Sequence, residues 1–248
     1  MKDIHNHILY NIDDGSTNYQ NSIELLKQLE SRGVTEIVVT PHYIIGTKYN
    51  SNNRQKRELI SKLQKKTKIK LYIGNEVFLD NGIIDYLKND EISTINNSKY
   101  LLVEFPLHEK MTYASNIIFE LRKNDIIPII AHPERYHYFT LNDFENLINE
   151  GCLLQGNITS LTNKYGRKAK HNLKLLLQKH MIHILGTDTH QKVDDNLEEA
   201  IMLLEKIVGP QMSQDLLEHN FAKIINNNKI ELYEIIKLKG VKKWEKIK

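Results

Sequence analysis

Histidines and carboxylates recur in this chain where short apolar runs end. "DIHNH" places His5 and His7 two apart, and "IDDGS" follows with Asp14. "TPH" carries His42, "GNE" Glu76, "VEF" Glu104, "AHPERY" His132 and Arg135, and "GTDTH" Asp188 with His190. Residues two apart in an extended segment point the same way, so His5 with His7, and Asp188 with His190, can each grip one ion. Glu76 and Glu104 each interrupt an apolar run. A carboxylate near buried strand ends needs a cationic partner or a metal, because an unpaired one costs several kcal/mol. Imidazoles with carboxylates suit zinc, manganese or iron better than calcium or magnesium alone. One tetrahedral catalytic ion takes three protein ligands and a water. Nine candidates (His5, His7, Asp14, His42, Glu76, Glu104, His132, Asp188 and His190) therefore point to two or three ions sharing a bridging carboxylate.

Such residues need a scaffold that brings them together. Periodicity gives strands at Asp3–Ile4, Glu36–Val39, Leu71–Ile73, Tyr100–Val103, Ile127–Ile130, Leu153–Gln155 and His183–Leu185. Helical patterns lie between them, at Asn21–Arg32, Arg54–Thr67, Tyr113–Asn124, Asn142–Glu150 and Arg167–His180. Past residue 190 the pattern is helical only: Leu197–Val208, Met212–His219, Phe221–Asn226 and Glu231–Leu238. Alternating β and α units argue for an α/β fold with a parallel sheet. A (β/α) barrel in one domain spanning 1–248 is the preferred form, its last helices outside or across one end and 239–248 a basic tail. In such barrels the active site lies at the carboxyl ends of the strands. Six of the seven expected strands end on a His or a carboxylate; the strand ending at Gln155 does not. Pro133 follows His132, and a residue before proline is held extended, which would fix His132 at the end of its strand.

Bulk properties narrow the chemistry. The chain has 248 residues, a formal net charge of +3, 11 histidines and one cysteine. That balance does not indicate nucleic-acid binding driven by basicity, and a lone thiol excludes an internal disulfide. No signal pattern and no run of membrane-spanning length is present, so the cytoplasm is the expected location. Thiol-based tyrosine phosphatase chemistry needs an arginine six positions after its cysteine, and Cys152 is followed there by Ile158. Cys152 reads as a buried strand residue. Neither a "GxxxxGK[ST]" nor a "GxSxG" stretch occurs. Tyr136 and Tyr138, beside Arg135, either face a substrate ring or pack at a rim. The terminal "KLKGVKKWEKIK" is a solvated tail or a weak contact for an anionic membrane or acidic partner.

Taken in order, these seven motifs resemble the polymerase-and-histidinol-phosphatase (PHP) superfamily over residues 1 to about 225. The nearest branch is that of bacterial manganese-dependent protein-tyrosine phosphatases of capsule and exopolysaccharide biosynthesis. The resemblance implies a distorted seven-stranded barrel and two or three manganese ions per chain, with zinc or iron as substitutes. It implies a first ion on His5, His7, Glu76 and Asp188, a second sharing Glu76 with Glu104 and His132, and a third on Asp14, His42 and His190. Arg135 matches an arginine that contacts substrate phosphate. Arg135, Asp188 and His190 are the implied catalytic groups; His108, read from its place four after Glu104, either lines the pocket or is a plain surface histidine. Related phosphatases often carry a second arginine shortly after the final Asp-x-His; this chain reads "THQKVDDN", with Lys192 nearest. The implied reaction is hydrolysis of phosphotyrosine on a protein, by attack of a metal-activated water. The implied partner is a membrane-associated tyrosine autokinase, which would bring the enzyme near the inner face of the membrane. Two other readings stand beside it: a hydrolase of a small phosphomonoester such as histidinol phosphate, and a non-catalytic, metal-stabilised interaction module.

Overall fold

Short apolar runs become strands, and amphipathic stretches up to Ile225 become helices. The computed structural model describes residues 1–236. The order is β1 (Lys2–Asp3), α1 (Tyr19–Ser31), β2 (Glu36–Val39), β3 (His42–Tyr43), α2 (Asn53–Gln64), β4 (Lys70–Ile73), β5 (Glu76–Phe78), α3 (Ile83–Lys88), β6 (Tyr100–Glu104) and α4 (Ala114–Lys123). It continues with β7 (Ile127–Ala131), α5 (Leu141–Asn149), β8 (Leu153–Asn157), α6 (Gly166–Gln178), β9 (Ile184–Gly186), α7 (Leu197–Val208), α8 (Pro210–Gln214) and α9 (Asn220–Ile225).

Local chemistry sets the helix starts. The Asn18 side chain accepts from the Asn21 N–H ahead of α1, which buries Ser22, Leu25, Leu26 and Leu29 along one face. Thr140 and Asp143 form a reciprocal capping box at α5. Helix α3 was not expected: it is only six residues long and lacks a side-chain cap. The expected helix at Met212–His219 divides into α8 and a wide π turn at Asp215–His219. The expected helix at Glu231–Leu238 does not form over residues 231–236, and 237–238 lie outside the described residues, as does the tail 239–248. No helix among the described residues is long and apolar enough to cross a membrane.

All strand pairs are parallel, in two sheets ordered β1-β2-β4 and β3-β5-β6-β7-β8-β9. Nine strands form among the described residues where seven were expected, in two sheets rather than one closed barrel: β3 and β5 are additional, and lie beyond the expected runs Glu36–Val39 and Leu71–Ile73. Pro41, with no N–H to donate, stands between β2 and β3. Between β4 and β5, Gly74 lies so close to Val38 that a Cβ would sit 2.7 Å from its Cγ1, and Asn75 donates to the Pro41 carbonyl at 3.1 Å. Strands β2 and β4 pair beside β1, and β3 and β5 join the six-stranded sheet. An isolated parallel bridge, Asn6 to Thr189, links the segments after β1 and β9.

Period-two alternation separates two cores. Leu101, Val103, Ile130, Leu154 and Leu185 pack with the helices, whereas Tyr100, Leu102, Ile129, Leu153 and Ile184 pack with Phe221, Ile224 and Ile225 of α9. On that second face the register continues past the apolar residues to Glu104, Gln155 and Asp188, so the strand ends turn polar together. The chain after α9 is tied to the opposite end: Lys99 N–H donates to Asn227 Oδ1 at 2.9 Å and Tyr100 Oη to the Asn228 carbonyl at 2.8 Å, both at the start of β6. The carboxyl ends of the strands are left open.

Candidate metal centre

His5 and His7 follow β1 and lie fully buried. Each has its Nδ1 engaged from outside the cluster, His5 by Gln155 Oε1 at 2.8 Å and His7 by Asp13 Oδ2 at 2.8 Å. Both acceptors are oxygens, so in its neutral form each imidazole carries its proton on Nδ1 and turns the Nε2 lone pair inward. The two Nε2 atoms are 3.1 Å apart, and Glu76 Oε2 lies 3.1 Å from one and 3.3 Å from the other. The "DDG" run has a steric function here. Gly15 passes so close to the His7 carbonyl that any Cβ would collide with it, while Ser16 N–H donates to that carbonyl at 3.0 Å.

The β3–β5 register places His42 directly beside Glu76. His42 Nδ1 is 3.1 Å from Glu76 Oε2 and 3.2 Å from Glu104 Oε1, and its Nε2 is 3.4 Å from Asp14 Oδ1. His132 Nε2 meets Glu76 Oε1 at 2.8 Å. His132 is not extended, despite the proline after it: its φ of +35° is left-handed, which turns β7 into a 3₁₀ turn closed by Arg135 N–H on the His132 carbonyl at 2.9 Å. Asp188, also left-handed with φ +52°, divides its carboxylate. Oδ2 receives Asn157 Nδ2 at 2.7 Å, Tyr165 Oη at 2.9 Å and Arg135 Nη1 at 3.3 Å. Oδ1 faces His5, His7 and His190 at 3.6, 3.5 and 3.3 Å. His190 Nε2 is 3.5 Å from Asp14 Oδ1.

The nine ligand candidates from seven separate segments thus form one cluster. Within it, His5, His7 and Glu76 offer one tight donor group, His42, Glu76 and Glu104 a second, and His7, Asp14, His42 and His190 a third. These groups differ from the implied sets in four respects: His42 joins Glu76 and Glu104, His7 joins Asp14 and His190, Asp188 falls outside the first group and His132 outside the second. Glu76 Oε2, His42 Nδ1 and His132 Nδ1 are buried without a hydrogen-bond partner. Buried polar atoms left unmatched at close range cost free energy unless a cation completes them. The donor set therefore fits divalent metal ions.

The charges agree. Burial works against ionised Glu76, yet the histidines around it hold its carboxyl well below the ordinary value. Burial likewise opposes protonated His7, and Asp13 and Glu76 outweigh it, raising its pKa well above normal. Asp188 is held low by His5, His190 and His7 against its burial. At the rim, the His190 hydrogen bond is the main cause that lowers Asp14 to about 2.

A cavity of about 510 Å³ opens on this cluster, lined also by Arg135, Tyr49, Leu107, Lys164, Tyr165 and Lys192. Lys192 is ion-paired with Asp195 at 2.9 Å. His108 is exposed and not among the lining residues. Tyr136 is buried, its Oη accepting the Phe105 N–H at 2.9 Å, and Tyr138 Oη donates to the Pro106 carbonyl, so both pack rather than face a ligand. Cys152 is buried and its thiol pushed up to about 12 by burial, which leaves it unreactive. Four contributors escaped the sequence reading. Asp13 had a visible signal, being the other half of the acidic pair. Gln155 and Asn157 occupy the strand end that lacked a ligand type, and Tyr165 left no trace in "NKYGR".

Known proteins share this architecture. The family model for capsular polysaccharide synthesis, CpsB/CapC, matches residues 1–226. The CapC protein of Staphylococcus aureus is 38% identical over 198 residues, 77% of each chain. The tyrosine-protein phosphatase YwqE of Bacillus subtilis strain 168 is 31% identical over 228 residues, 88% of this chain and 89% of its own. A crystal structure from work on YwqE of Bacillus subtilis and CpsB of Streptococcus pneumoniae, described as unique metal-dependent tyrosine phosphatases, superposes with TM-score 0.88 at 27% identity, covering 96% of this chain and 100% of that one. Histidinol phosphate phosphatase of Lactococcus lactis shares the fold alone, with TM-score 0.58 at 16% identity. The chain belongs to the capsular polysaccharide synthesis CpsB/CapC family.

Proposed function

We propose that this protein is a metal-dependent phosphomonoesterase that hydrolyses phosphotyrosine on proteins of capsule or exopolysaccharide synthesis. One observation carries the reading: two inward Nε2 lone pairs stand 3.1 Å apart beside a buried Glu76 oxygen with no hydrogen-bond partner. With both imidazoles neutral and protonated on Nδ1, neither offers a proton to the other or to Glu76, whereas shared cations satisfy all three atoms. His5, His7, Glu76 and Asp188 would hold one ion, Glu76, Glu104 and His132 with His42 a second, and Asp14, His42 and His190 a third. Manganese is the proposed metal, with zinc or iron as substitutes. Divalent ions held there supply Lewis acidity, lowering the pKa of water from near 16 to about 7 and drawing charge from phosphoryl oxygens.

The chain's own groups do the rest. Arg135 lines the cavity with its guanidinium anchored on Asp188, placed to neutralise phosphoryl charge as the bond breaks. Phenolate, with a pKa near 10, is a tolerable leaving group. Of the imidazoles facing the cavity, His190 is the more open, 30% exposed against 14% for His42, and both its nitrogens are engaged, by Asp14 and Asp188, which fits a ligand rather than a proton donor. The proposed fold is a seven-stranded barrel in one domain: it counts β2 with β3, and β4 with β5, as interrupted single strands, and draws support from the Asn6–Thr189 bridge. The proposed partner is a membrane-associated tyrosine autokinase, met on the cytoplasmic side.

Manganese-loaded protein should release phosphate from phosphotyrosine peptides in preference to histidinol phosphate. Preference for the small amine would replace this reading with a small-molecule phosphatase, and turnover of neither would favour a binding module.

A further inference from the structure

A phosphomonoester brings two negative charges, and Arg135 already shares its guanidinium with Asp188 Oδ2. The segment after His190 offers only Lys192, which is paired with Asp195. We infer that Lys164, carried on the ring of Tyr165, is the second cation that receives the phosphoryl group. The inference rests on the phosphomonoesterase reading above.

Tyr165 organises this wall. Its Oη donates to Asp188 Oδ2 at 2.9 Å, which ties the ring to the candidate metal cluster. The Arg135 guanidinium lies 4.6 Å from the ring centroid and Lys164 Nζ lies 5.2 Å from it, both within cation–π range. Lys164 Nζ also donates to the Asp188 carbonyl at 3.4 Å. Among the described residues it ion-pairs with no carboxylate, so its charge is not neutralised locally as that of Lys192 is. Both cations line the cavity that holds His190 and Asp188.

The backbone presents Lys164 deliberately. Asn163 at φ +73° and Gly166 at φ +88° enclose the Lys164–Tyr165 pair in a tight turn between the 3₁₀ turn Ile158–Thr162 and α6. Asn163 N–H donates to the Ser160 carbonyl at 3.0 Å and Gly166 N–H to the Asn163 carbonyl at 3.1 Å, which hold the turn. The second positive charge thus comes from the loop after β8 rather than the loop after β9. A lysine there acts as a point charge and lacks the bidentate fork of arginine.

The experiment measures binding of inorganic phosphate to the metal-loaded protein by calorimetry, with metal content and phosphotyrosine-peptide kinetics on the same samples. Lys164→Gln should weaken phosphate by about tenfold or more, the loss expected for one hydrogen bond to a charged group, with metal content unchanged. Lys164→Arg should keep most of the affinity, and Tyr165→Leu, which removes the platform, should match Lys164→Gln. Unchanged phosphate affinity in Lys164→Gln overturns the inference, as does a larger loss in Lys192→Gln. Should wild type bind phosphate yet turn over no phosphotyrosine, the functional reading fails while the binding result still decides the role of Lys164.

Discussion

The Nε2 atoms of His5 and His7 face each other across 3.1 Å, and each imidazole is turned that way by an acceptor on its far nitrogen, Gln155 for one and Asp13 for the other. Orientation of these candidate ligands is thus imposed by side chains that touch no ion themselves. Glu76 completes the group from β5, and the same carboxylate reaches His42 and His132.

Glu76→Gln should therefore remove more than one ion per chain, since a single amide oxygen cannot serve two positions. Metal analysis of the purified variant against wild type checks this. Full retention would show that Glu76 does not bridge.

Asp13→Asn tests the imposed orientation. The amide can still accept from His7, but without the negative charge that supports it. Metal affinity should fall by roughly 10–100-fold, the usual cost of losing such an outer partner. Competition against a chelator reads this directly, and equal affinity would reduce Asp13 to a loop residue.

Arg135→Ala should keep its metals and lose about 1.5–3 kcal/mol of transition-state stabilisation, or roughly 10–100-fold in kcat/KM on a phosphotyrosine peptide. Unaltered kinetics with normal metal content would take the guanidinium out of the reaction.

His183 predicts a stability slope in acid. It is buried, its Nδ1 accepts the Leu154 N–H at 2.9 Å, and burial pulls its pKa down to about 4. Its folded value lies below the unfolded value near 6.5. The contribution is therefore whole above about 6.5 and is lost as the pH falls toward 4, reaching about 3 kcal/mol. Acid also protonates the metal cluster, so the comparison is with His183→Gln. Denaturant midpoints at pH 7 and pH 4.5 should converge between the two proteins as the pH drops, and parallel curves would contradict a buried neutral imidazole.

Tyr136→Phe leaves the buried Phe105 N–H without its acceptor, at a cost of about 1–3 kcal/mol. Thermal melting should register a clear fall in Tm. A melting point equal to wild type would mean that the N–H finds another partner.

Some of this could be read directly from residue order. Most helix positions followed from apolar spacing, α3 and Glu231–Leu238 being the exceptions, while caps such as Asn18 and Thr140, which act over three or four residues, set their starts in the structure. The candidate ligands were visible because a histidine or carboxylate closing an apolar run is a local anomaly, as at Glu76 and Glu104. Local rules also misled. Pro133 argued for an extended His132, but the turn toward Arg135 required a left-handed backbone, and the tight packing around Glu76 holds it there.

What residue order determined, then, was the kind of chemistry: imidazoles and carboxylates at strand ends, with one arginine among them. What the tertiary structure decided was partnership. His5 meets Gln155 across 150 residues of chain, and Tyr165 joins Arg135 to Asp188 from a loop with no motif of its own. Such pairs depend on strand register and on which face each side chain occupies, quantities fixed by packing over the whole sheet. No window of a few residues contains them, because the forces that set them act only once distant strands lie side by side.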